Sequence, residues 1–321
     1  VLNFENATGY MVGAENKGLN SMFTMMNLER IVVGIQGLGI SETAYQNALA
    51  YAKERKQGRA NNNKNKDADP IIQHADIRRS LMNMKSIIEG QRSLAFWLSQ
   101  QVDVSLNHKD KKIKQSAANI VSLMTPVIKS FFTDMGMEIT NDAIQIFGGY
   151  GYTKDQGIEQ LFRDNRITPI YEGTNSIQAI DLVQRKVLNN KTLDGFISEI
   201  NEEIKICKKN KNLFSFIEKL KKYMELLGNF TLWLGKKNSS SKDDVSSACN
   251  DYLKVLGYVS LAYSWLKTLR VSHEKLESNK SFFEDKINTA TYYFDKILPR
   301  VQSHYISAIS GSETMMKTNF N

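Results

Sequence analysis

Proline is scarce in this sequence: Pro70, Pro126, Pro169 and Pro299 are the only four in 321 residues, against roughly 5% in an average protein. A proline inside a helix removes a backbone hydrogen bond and costs about 3 kcal/mol. The scarcity therefore leaves room for long helices. Hydrophobic residues at 41% and charged residues at 24% are ordinary for a globular protein and exclude wholesale disorder. The length favours about two domains.

Cysteine, histidine and long apolar runs are also scarce. Cys207 and Cys249 are the only cysteines, too few for a disulfide framework or a four-thiolate zinc site. They are typical of reduced thiols, so a cytoplasmic location is expected. The four histidines form no helical i, i+4 pair, and no metal site is expected. No apolar run reaches the roughly 18 residues of a spanning helix, and the polar N-terminus lacks a signal-peptide core, so membrane insertion is not expected.

Positive charge is in excess, with a formal net charge of +8, but it is spread along the chain. Basic clusters at 109–114, 205–211 and 219–222 could contact nucleic acid. They lie in amphipathic helical sequence, where a solvated face is the usual meaning of a charge run. The pattern therefore favours solvated helix faces, and no nucleic-acid partner is expected.

Apolar residues recur at spacings of three and four along most of the chain, which predicts helices. In the first part of the chain, helices are predicted over 18–54, 76–107, 115–147, 158–166 and 175–188. The helix over 115–147 is expected to have a kink or break near 124–125 because it contains Pro126. A second set is predicted over 193–209, 212–235, 242–271, 280–297 and 298–316. The connections are a polar loop at 57–70, a charged segment at 108–114 and a glycine-rich turn at 148–157. Residues 1–15 predict an extended stretch and a turn.

These patterns predict an all-α fold of packed antiparallel helices. The segment near 189–191 is the best candidate for a domain junction. The glycine motif GIQGLG at 34–39 has the wrong order for a dinucleotide fingerprint and no preceding strand. Small residues that allow two helices to pack closely explain it better.

Two other segments could carry chemistry. FGGYGY at 147–152 has glycines that let a backbone approach a ligand, so it is either a plain turn or a loop that receives a nucleotide. In YEGTN at 171–175, Thr174 or Asn175 can cap the next helix, whose N-terminus favours an anion. Glu172 is then either a general base that removes a weakly acidic C–H proton or an ordinary surface acid.

Read together, the segments resemble the acyl-CoA dehydrogenase family. The resemblance covers residues 1–188, and its most specific motif is IYEGTNSIQ; the ordered set is ENKGL, NLER, GLG, YAKERKQGR, QIFGGYGYTKD and RDNRITPIYEGTNSIQAIDLVQRK. The sequence segments ERKQGRA and DPIIQHADIRRSLMNMKSIIEGQRSLAFW resemble those of the branch that includes 3-methylmercaptopropionyl-CoA dehydrogenase. That branch carries an extra C-terminal helical domain.

The resemblance implies a flavin chemistry centred on Glu172. This residue matches the catalytic base, which takes the α-proton of an acyl thioester while the β-hydrogen leaves as hydride to FAD, giving a trans-2-enoyl-CoA. In the family, hydrogen bonds from the flavin ribityl hydroxyl and the backbone N–H of this glutamate polarise the thioester carbonyl. Tyr171 is expected to line the acyl pocket.

The resemblance also implies the binding residues. Arg55 and Gln57 match contacts to the FAD pyrophosphate of a neighbouring subunit, and guanidinium is suited to bidentate phosphate recognition. The common phenylalanine after this glutamine is missing here. The ADP half of FAD is expected at Gln145, Gly148 and Gly149, and the flavin at Thr174 and Gln178. Asn27 and Arg30 match CoA-binding positions, or else form an i, i+3 pair on a helix surface.

The family pattern implies three segments: the end of a middle β domain at 1–15, a four-helix bundle at 16–190 and an additional helical domain at 191–321. The family's N-terminal helical domain and most of its middle β domain do not occur in this sequence, so a piece of a longer protein is expected. Expected partners are an acyl-CoA, an electron-transfer flavoprotein and further copies in a homodimer or homotetramer. The substrate is expected to be 3-methylmercaptopropionyl-CoA, as in dimethylsulfoniopropionate catabolism. The alternatives are medium- or long-chain acyl-CoA of fatty acid metabolism, or a non-catalytic helical scaffold.

Overall fold

A computed structural model of the chain describes residues 2–61 and 67–320; positions 62–66 of the predicted 57–70 loop lie outside them. Within these ranges the protein is built from helices without a β-sheet, so the predicted all-α class is confirmed. The α-helices are α1 (Gly18–Glu54), α2 (Ala75–Asn107), α3 (Lys111–Phe147), α4 (Gly149–Tyr152), α5 (Ile158–Asn165), α6 (Asn175–Ile180), α7 (Leu193–Cys207), α8 (Phe214–Asn238), α9 (Lys242–Glu274), α10 (Lys280–Tyr292), α11 (Arg300–Ile309) and α12 (Glu313–Lys317). Two π-helical segments extend α6 and α10, at Asp181–Asn189 and Tyr293–Ile297. Short 3-10 turns lie at Ile71–Gln73, Lys154–Gln156, Lys211–Leu213 and Leu276–Ser278.

Helix α3 departs from its prediction in two ways. It begins at Lys111, within the predicted charged connection, because the Asp110 carboxylate caps it by accepting from the backbone N–H groups of Lys112 and Ile113. It also continues through Pro126 without a break. Residues 123–132 around this proline are all buried, and tertiary packing outweighs the loss of one helical hydrogen bond.

Three other predictions are wrong in detail. The expected β remnant forms no strand within residues 2–17, since this extended segment has no neighbouring strand to pair with. The glycine-rich turn contains the short helix α4. The single helix predicted over 298–316 is divided into α11 and α12, because Gly311 adopts a positive φ of 83° between them.

The central contact of the bundle is between α1 and α3, and α2 packs against both. A Cβ atom added at Gly34 would lie 2.6 Å from the Ile128 carbonyl oxygen, and one at Gly37 would lie 3.2 Å from the Cα of Thr133. Only a residue without a side chain allows this approach. The interpretation of GIQGLG as a helix-packing motif is confirmed for these two glycines, whereas Gly39 faces open space.

Helix α9 joins the second set of helices to the bundle. It packs against α2, α3 and α6 as well as against α8, α10 and α11. The indole Nε1 of Trp265 donates to the Ser86 carbonyl of α2 at 3.0 Å, and Gly257 leaves room for the Phe131 ring of α3. A single apolar core therefore runs through both sets of helices.

Candidate active site and cofactor cavities

The segment before α6 forms a tight turn around Glu172. Glu172 and Gly173 both have positive φ, 57° and 81°, a region that costs a non-glycine residue about 1–3 kcal/mol. The Glu172 carbonyl accepts from the side-chain amide of Gln178 at 2.9 Å. Thr174 caps α6 by accepting from the Ile177 N–H. The hydrogen bonds of α6 therefore hold the backbone of the turn in this conformation.

The Glu172 carboxylate is half-buried, with one of its two oxygens withdrawn from solvent. Its Oε2 atom is buried and, among the described residues, has no hydrogen-bond partner. The Oε1 atom of the neighbouring buried Gln178 is in the same situation. The Tyr171 hydroxyl donates to Oε1 of Gln36 in α1, and desolvation together with the nearby Glu172 and Glu29 carboxylates raises the pKa of Tyr171. Buried polar atoms without partners are uncommon and mark a place where another group is expected.

Sequence reasoning missed Lys129, which lies beneath this turn. Its side chain is 0% exposed, and its Nζ donates to the Gly173 carbonyl and to Oδ1 of Asn175, both at 2.8 Å. Burial lowers the pKa of Lys129 to about 8, and the Arg30 guanidinium also lowers it, whereas the Asp134 and Glu172 carboxylates oppose the shift. A lysine followed by Ser130 and two phenylalanines carries no sequence signal that separates it from a surface lysine.

A second feature, the Arg55 cavity, opens where the C-terminal ends of α1 and α3 meet. Its volume is about 680 Å³, and its lining brings together four predicted residues, Arg55, Gln57, Gly148 and Gly149. Arg55 donates to Oε1 of Gln57 at 3.3 Å. Sequence reasoning missed the rest of the lining, which is largely apolar or aromatic: Tyr51, Gly58, Ile71, His74, Ile77, Ile146, Phe147 and Tyr150.

The walls of this cavity are held by aromatic and backbone contacts. The rings of Tyr51 and Phe147 stack at a centroid distance of 4.1 Å, and His74 Nε2 lies 2.7 Å from the Gln57 carbonyl oxygen. Added Cβ atoms at Gly148 and Gly149 would meet nothing within 4 Å, so both glycines border open space. Gln145 is exposed and outside the lining; its carbonyl accepts from the Gly148 N–H at 3.1 Å.

A third feature, the Arg30 cavity, lies at the other end of α1. It has a volume of about 180 Å³ and contains both Asn27 and Arg30, together with Lys186 and Asp181 from the π-helical segment. The Nε atom of Arg30 is buried and has no hydrogen-bond partner in the described part of the chain. Lys186 donates to the Ser122 hydroxyl at 2.9 Å. The cavity therefore offers cationic donors to a polar or anionic group.

The site residues fall into separate places. The Tyr171 contact reaches α1 at Gln36, whereas Arg55 lies at the end of the same helix, about 28 Å further along the axis. These features define a helical bundle that presents a half-buried carboxylate on a strained turn at its middle and, at the end of α1, a largely apolar cavity that contains one arginine.

The sequence model of a known family matches this bundle. The model described as "Acyl-CoA dehydrogenase, C-terminal domain" matches residues 16–188, more than half of the chain, and one described as "Acetyl-CoA dehydrogenase C-terminal like" matches residues 196–319. The chain belongs to the acyl-CoA dehydrogenase family, and the resemblance noted from its motifs is confirmed.

Curated relatives are similar over different spans. A 3-methylmercaptopropionyl-CoA dehydrogenase of Ruegeria pomeroyi is 44% identical over 190 residues, which are 59% of this chain and 32% of the relative. The broad-specificity linear acyl-CoA dehydrogenase FadE5 of Mycobacterium tuberculosis is 29% identical over 317 residues, 92% of this chain and 51% of the relative. The chain thus spans about a third to a half of the length of these relatives.

Solved structures share the fold at low sequence identity. ACDH-11 of Caenorhabditis elegans, solved in complex with C11-CoA, has a TM-score of 0.71 at 20% identity, covering 97% of this chain and 50% of that one. An acyl-CoA dehydrogenase of Bacillus anthracis complexed with FAD has a TM-score of 0.70 at 16% identity, and the match covers 94% of this chain and 52% of that one. Across the described ranges of this chain, no helix combines the length and apolarity that a bilayer span requires.

Proposed function

We propose that the protein is an FAD-dependent acyl-CoA dehydrogenase that converts an acyl-CoA to a trans-2-enoyl-CoA, with Glu172 as the catalytic base. The observation that carries the proposal is the Oε2 atom of Glu172, which is buried on a turn of positive φ and has no hydrogen-bond partner among residues 2–61 and 67–320. A stabilising role would give this carboxylate a donor. A base that must accept a proton from carbon needs a free oxygen.

The chain's own residues supply the acid–base part of this reaction. Glu172 accepts the α-proton, and the electron pair of the broken C–H bond moves into the developing double bond of the thioester enolate. Desolvation around Glu172 strengthens its interaction with the substrate. Tyr171, whose hydroxyl is bonded to Gln36, would border the acyl group.

The residues present fit FAD. Arg55 would hold the pyrophosphate, because guanidinium pairs bidentately with phosphate oxygens, and the open backbone at Gly148 and Gly149 would admit the ADP half. Thr174 and Gln178 would border the flavin, where the buried amide oxygen of Gln178 has no donor within the described ranges. Gln145 would act through its backbone, which supports the Gly148 turn. When bound, FAD supplies the two-electron acceptor for the β-hydrogen.

The CoA part of the substrate is assigned to the Arg30 cavity, where Asn27 and Arg30 lie together. The buried Nε of Arg30, to which the described residues offer no acceptor, supports an incoming acceptor at this place. We assign the acyl group as 3-methylmercaptopropionyl, supported by the 44% identity to the Ruegeria enzyme. The similarity to FadE5 supports a linear fatty acyl group as the second candidate.

The protein is proposed to work as a homodimer or homotetramer with an electron-transfer flavoprotein as electron acceptor. The wide separation of the Arg55 cavity from the Glu172 turn supports the assembly, since one subunit would contribute the cavity and another the turn to a single cofactor. Residues 16–190 and 191–321 are proposed as its two helical domains, which the two family-model matches support.

Replacement of Glu172 tests the catalytic assignment. In the full-length protein, Glu172→Gln should retain the flavin absorbance at about 450 nm. The bleaching of this absorbance by acyl-CoA should be slower by about 10²–10⁴-fold, because general-base catalysis accelerates a reaction by this factor. Stopped-flow absorbance measures the rate. The exposed Glu225 of α8 provides the matched control, Glu225→Gln, which should bleach normally. Normal bleaching of Glu172→Gln would remove the base assignment, and a wild-type protein without flavin would favour the scaffold.

A comparison of acyl groups tests the substrate. With the wild-type enzyme, kcat/KM should be highest for 3-methylmercaptopropionyl-CoA, followed by butyryl-CoA and then palmitoyl-CoA. Each mismatched methylene costs about 1–3 kcal/mol of transition-state binding, or about 10–200-fold. A higher kcat/KM for palmitoyl-CoA than for 3-methylmercaptopropionyl-CoA would contradict the thioether assignment and favour a long-chain acyl-CoA as the substrate.

A further inference from the structure

Lys129 is a wholly buried cation in the middle of α3, and the acid–base step described above does not use it. Burial of an ammonium group is costly unless its donors are satisfied. The Nζ atom of Lys129 donates at 2.8 Å to the Gly173 carbonyl and at 2.8 Å to Oδ1 of Asn175. Both acceptors belong to the turn and helix start that follow Glu172 directly.

Asn175 extends this link across α3. Its side-chain amide donates to the Ser130 carbonyl at 3.2 Å, to the Thr133 hydroxyl at 3.0 Å and to Oδ1 of Asp134 at 2.7 Å. Lys129 and Asn175 therefore form one hydrogen-bonded unit between α3 and the first turn of α6. The contacts span more than forty residues of sequence, so they fix tertiary position rather than local helix geometry.

The Glu172 turn needs such an anchor. A glutamate at a φ of 57° is in a conformation that a free loop would leave. Gln178 holds the Glu172 carbonyl from α6, but this bond joins the turn only to the helix that follows it and does not tie the turn to α3. The bond from Lys129 to Gly173 supplies that connection to α3, a helix of 37 residues that is buried on both sides of Lys129.

We propose that Lys129 is a positioning residue for Glu172: its ammonium group, anchored in α3, holds the Gly173 carbonyl and, through Asn175, the start of α6, so that the Glu172 carboxylate stays at the reacting carbon. The inference rests on the proposed function. It makes Lys129 responsible for kcat, because a misplaced base slows proton removal, and leaves the CoA-binding residues of the Arg30 cavity in place.

The variant Lys129→Met tests the proposal in the full-length enzyme, because it keeps the length of the side chain and removes its donors. Lys85→Met is the matched control, since Lys85 is a largely buried lysine whose two ion pairs, with Glu89 and Asp285, lie away from the site. We expect Lys129→Met to lower kcat at least about tenfold with KM changed less than about threefold, while Lys85→Met leaves both parameters unchanged.

Hydrogen exchange gives a readout that is independent of turnover. The N–H groups of Tyr171 and Asn175 are bonded to the Ile167 and Pro169 carbonyls, so their exchange reports the order of the turn. We expect Lys129→Met to accelerate this exchange at least about tenfold, and Lys85→Met to leave it unchanged. Wild-type exchange together with wild-type kcat in Lys129→Met would overturn the proposal.

Two further arms keep the outcomes distinct. If Lys129→Met does not fold, Asn175→Ala decides, because it leaves the lysine in place and removes its second anchor: a lower kcat at constant KM supports the proposal, and an unchanged kcat overturns it. If the wild-type protein is not reduced by any acyl-CoA, the proposed function fails. Hydrogen exchange then still decides whether Lys129 orders the turn.

Discussion

Glu172 and Lys129 illustrate how single polar residues are placed against the ordinary preference of their type. One is a glutamate on a left-handed backbone with a buried oxygen that no described residue contacts by a hydrogen bond, and the other is a lysine without solvent exposure. Each is costly to the folded state when considered alone. The cost falls on residues in contact with one turn, which is the usual signature of a functional site.

The buried lysine makes stability depend on pH. Its pKa is about 8 in the folded protein and about 10.5 when exposed, so the unfolded chain holds the proton more tightly and stability rises as the pH increases between these values. The free energy of unfolding of the wild type minus that of Lys129→Met should therefore increase by at most about 3 kcal/mol from about pH 7 to about pH 10. Urea denaturation at both pH values measures the difference.

Lys85→Met serves as the control in this experiment as well. Hydrogen bonds and ion pairing with Asp285 and Glu89 outweigh the desolvation of Lys85 and raise its pKa. The free energy of unfolding of Lys85→Met should therefore still increase with pH as that of the wild type does, because Lys129 is unchanged in this variant. A constant difference between wild type and Lys129→Met at all pH values would show that Lys129 keeps its proton in the folded state.

The sequence predicted part of this site and missed the rest for a physical reason. Glu172, Thr174 and Gln178 lie within eight residues of one another, so their motif is local and readable. Lys129 reaches the same turn from 44 residues away, and its burial depends on how α3 packs. The lining of the Arg55 cavity likewise comes from three separate segments, so His74 and Tyr51 could not be assigned from spacing.

At the scale of elements, the α1–α3 contact is set by absent side chains. Gly34 and Gly37 lie against the backbone of α3, and Ala44, Ala48 and Ala52 continue the small stripe toward the end of α1 with no exposure. The two helices can therefore approach closely along much of their length. This contact fixes α3, and with it Lys129, relative to Gln36 and Tyr171.

Two glycine substitutions in α1 separate packing from helix propensity. Gly34→Ala should lower the free energy of unfolding by about 1–3 kcal/mol, because its methyl group would overlap the backbone at Ile128. Gly39→Ala, in the same helix but facing open space, should raise it by about 0.5–1 kcal/mol. Chemical denaturation measures both. Equal effects of the two variants would contradict the packing assignment.

Most element positions were predictable from apolar periodicity, including both ends of α1, which match the predicted 18–54. The errors occur where local chemistry overrides periodicity. Asp110 starts α3 earlier than its apolar stripe suggests, and Gly311 interrupts a stripe that continues beyond it. The π-helical segments after α6 and α10, of nine and five residues, were not predicted, because the wider helical turn changes the spacing of apolar residues only slightly over so short a length.

At the scale of the whole molecule, α9 makes the two sets of helices one cooperative body. It is buried along most of its length between the bundle and the outer helices. The Trp265 indole reaches the Ser86 carbonyl, and the Tyr293 hydroxyl donates to the Tyr258 carbonyl of α9 at 2.8 Å. The middle of α3, which carries Lys129, therefore packs on a helix of the proposed second domain, where Phe131 lies against Gly257.

Replacement of this indole tests the connection. Trp265→Phe should lower the free energy of unfolding by about 1–3 kcal/mol, because it removes a buried hydrogen bond to the Ser86 carbonyl and leaves a gap where the indole packs against Gly90. Trp233→Phe, at a half-buried position of α8, should have a smaller effect. Thermal unfolding followed by circular dichroism measures both. A loss for Trp265→Phe no larger than that for Trp233→Phe would show that the indole bond does not couple the two sets.

The left-handed backbone at Glu172 has an evolutionary consequence. Glycine or asparagine would relax this residue and make the folded chain more durable, but either would remove the proton acceptor. Selection for stability alone would therefore replace the glutamate, whereas selection for catalytic turnover would retain it. In descendants of this gene, the identity of this one residue would serve as a record of whether the chemistry is still in use.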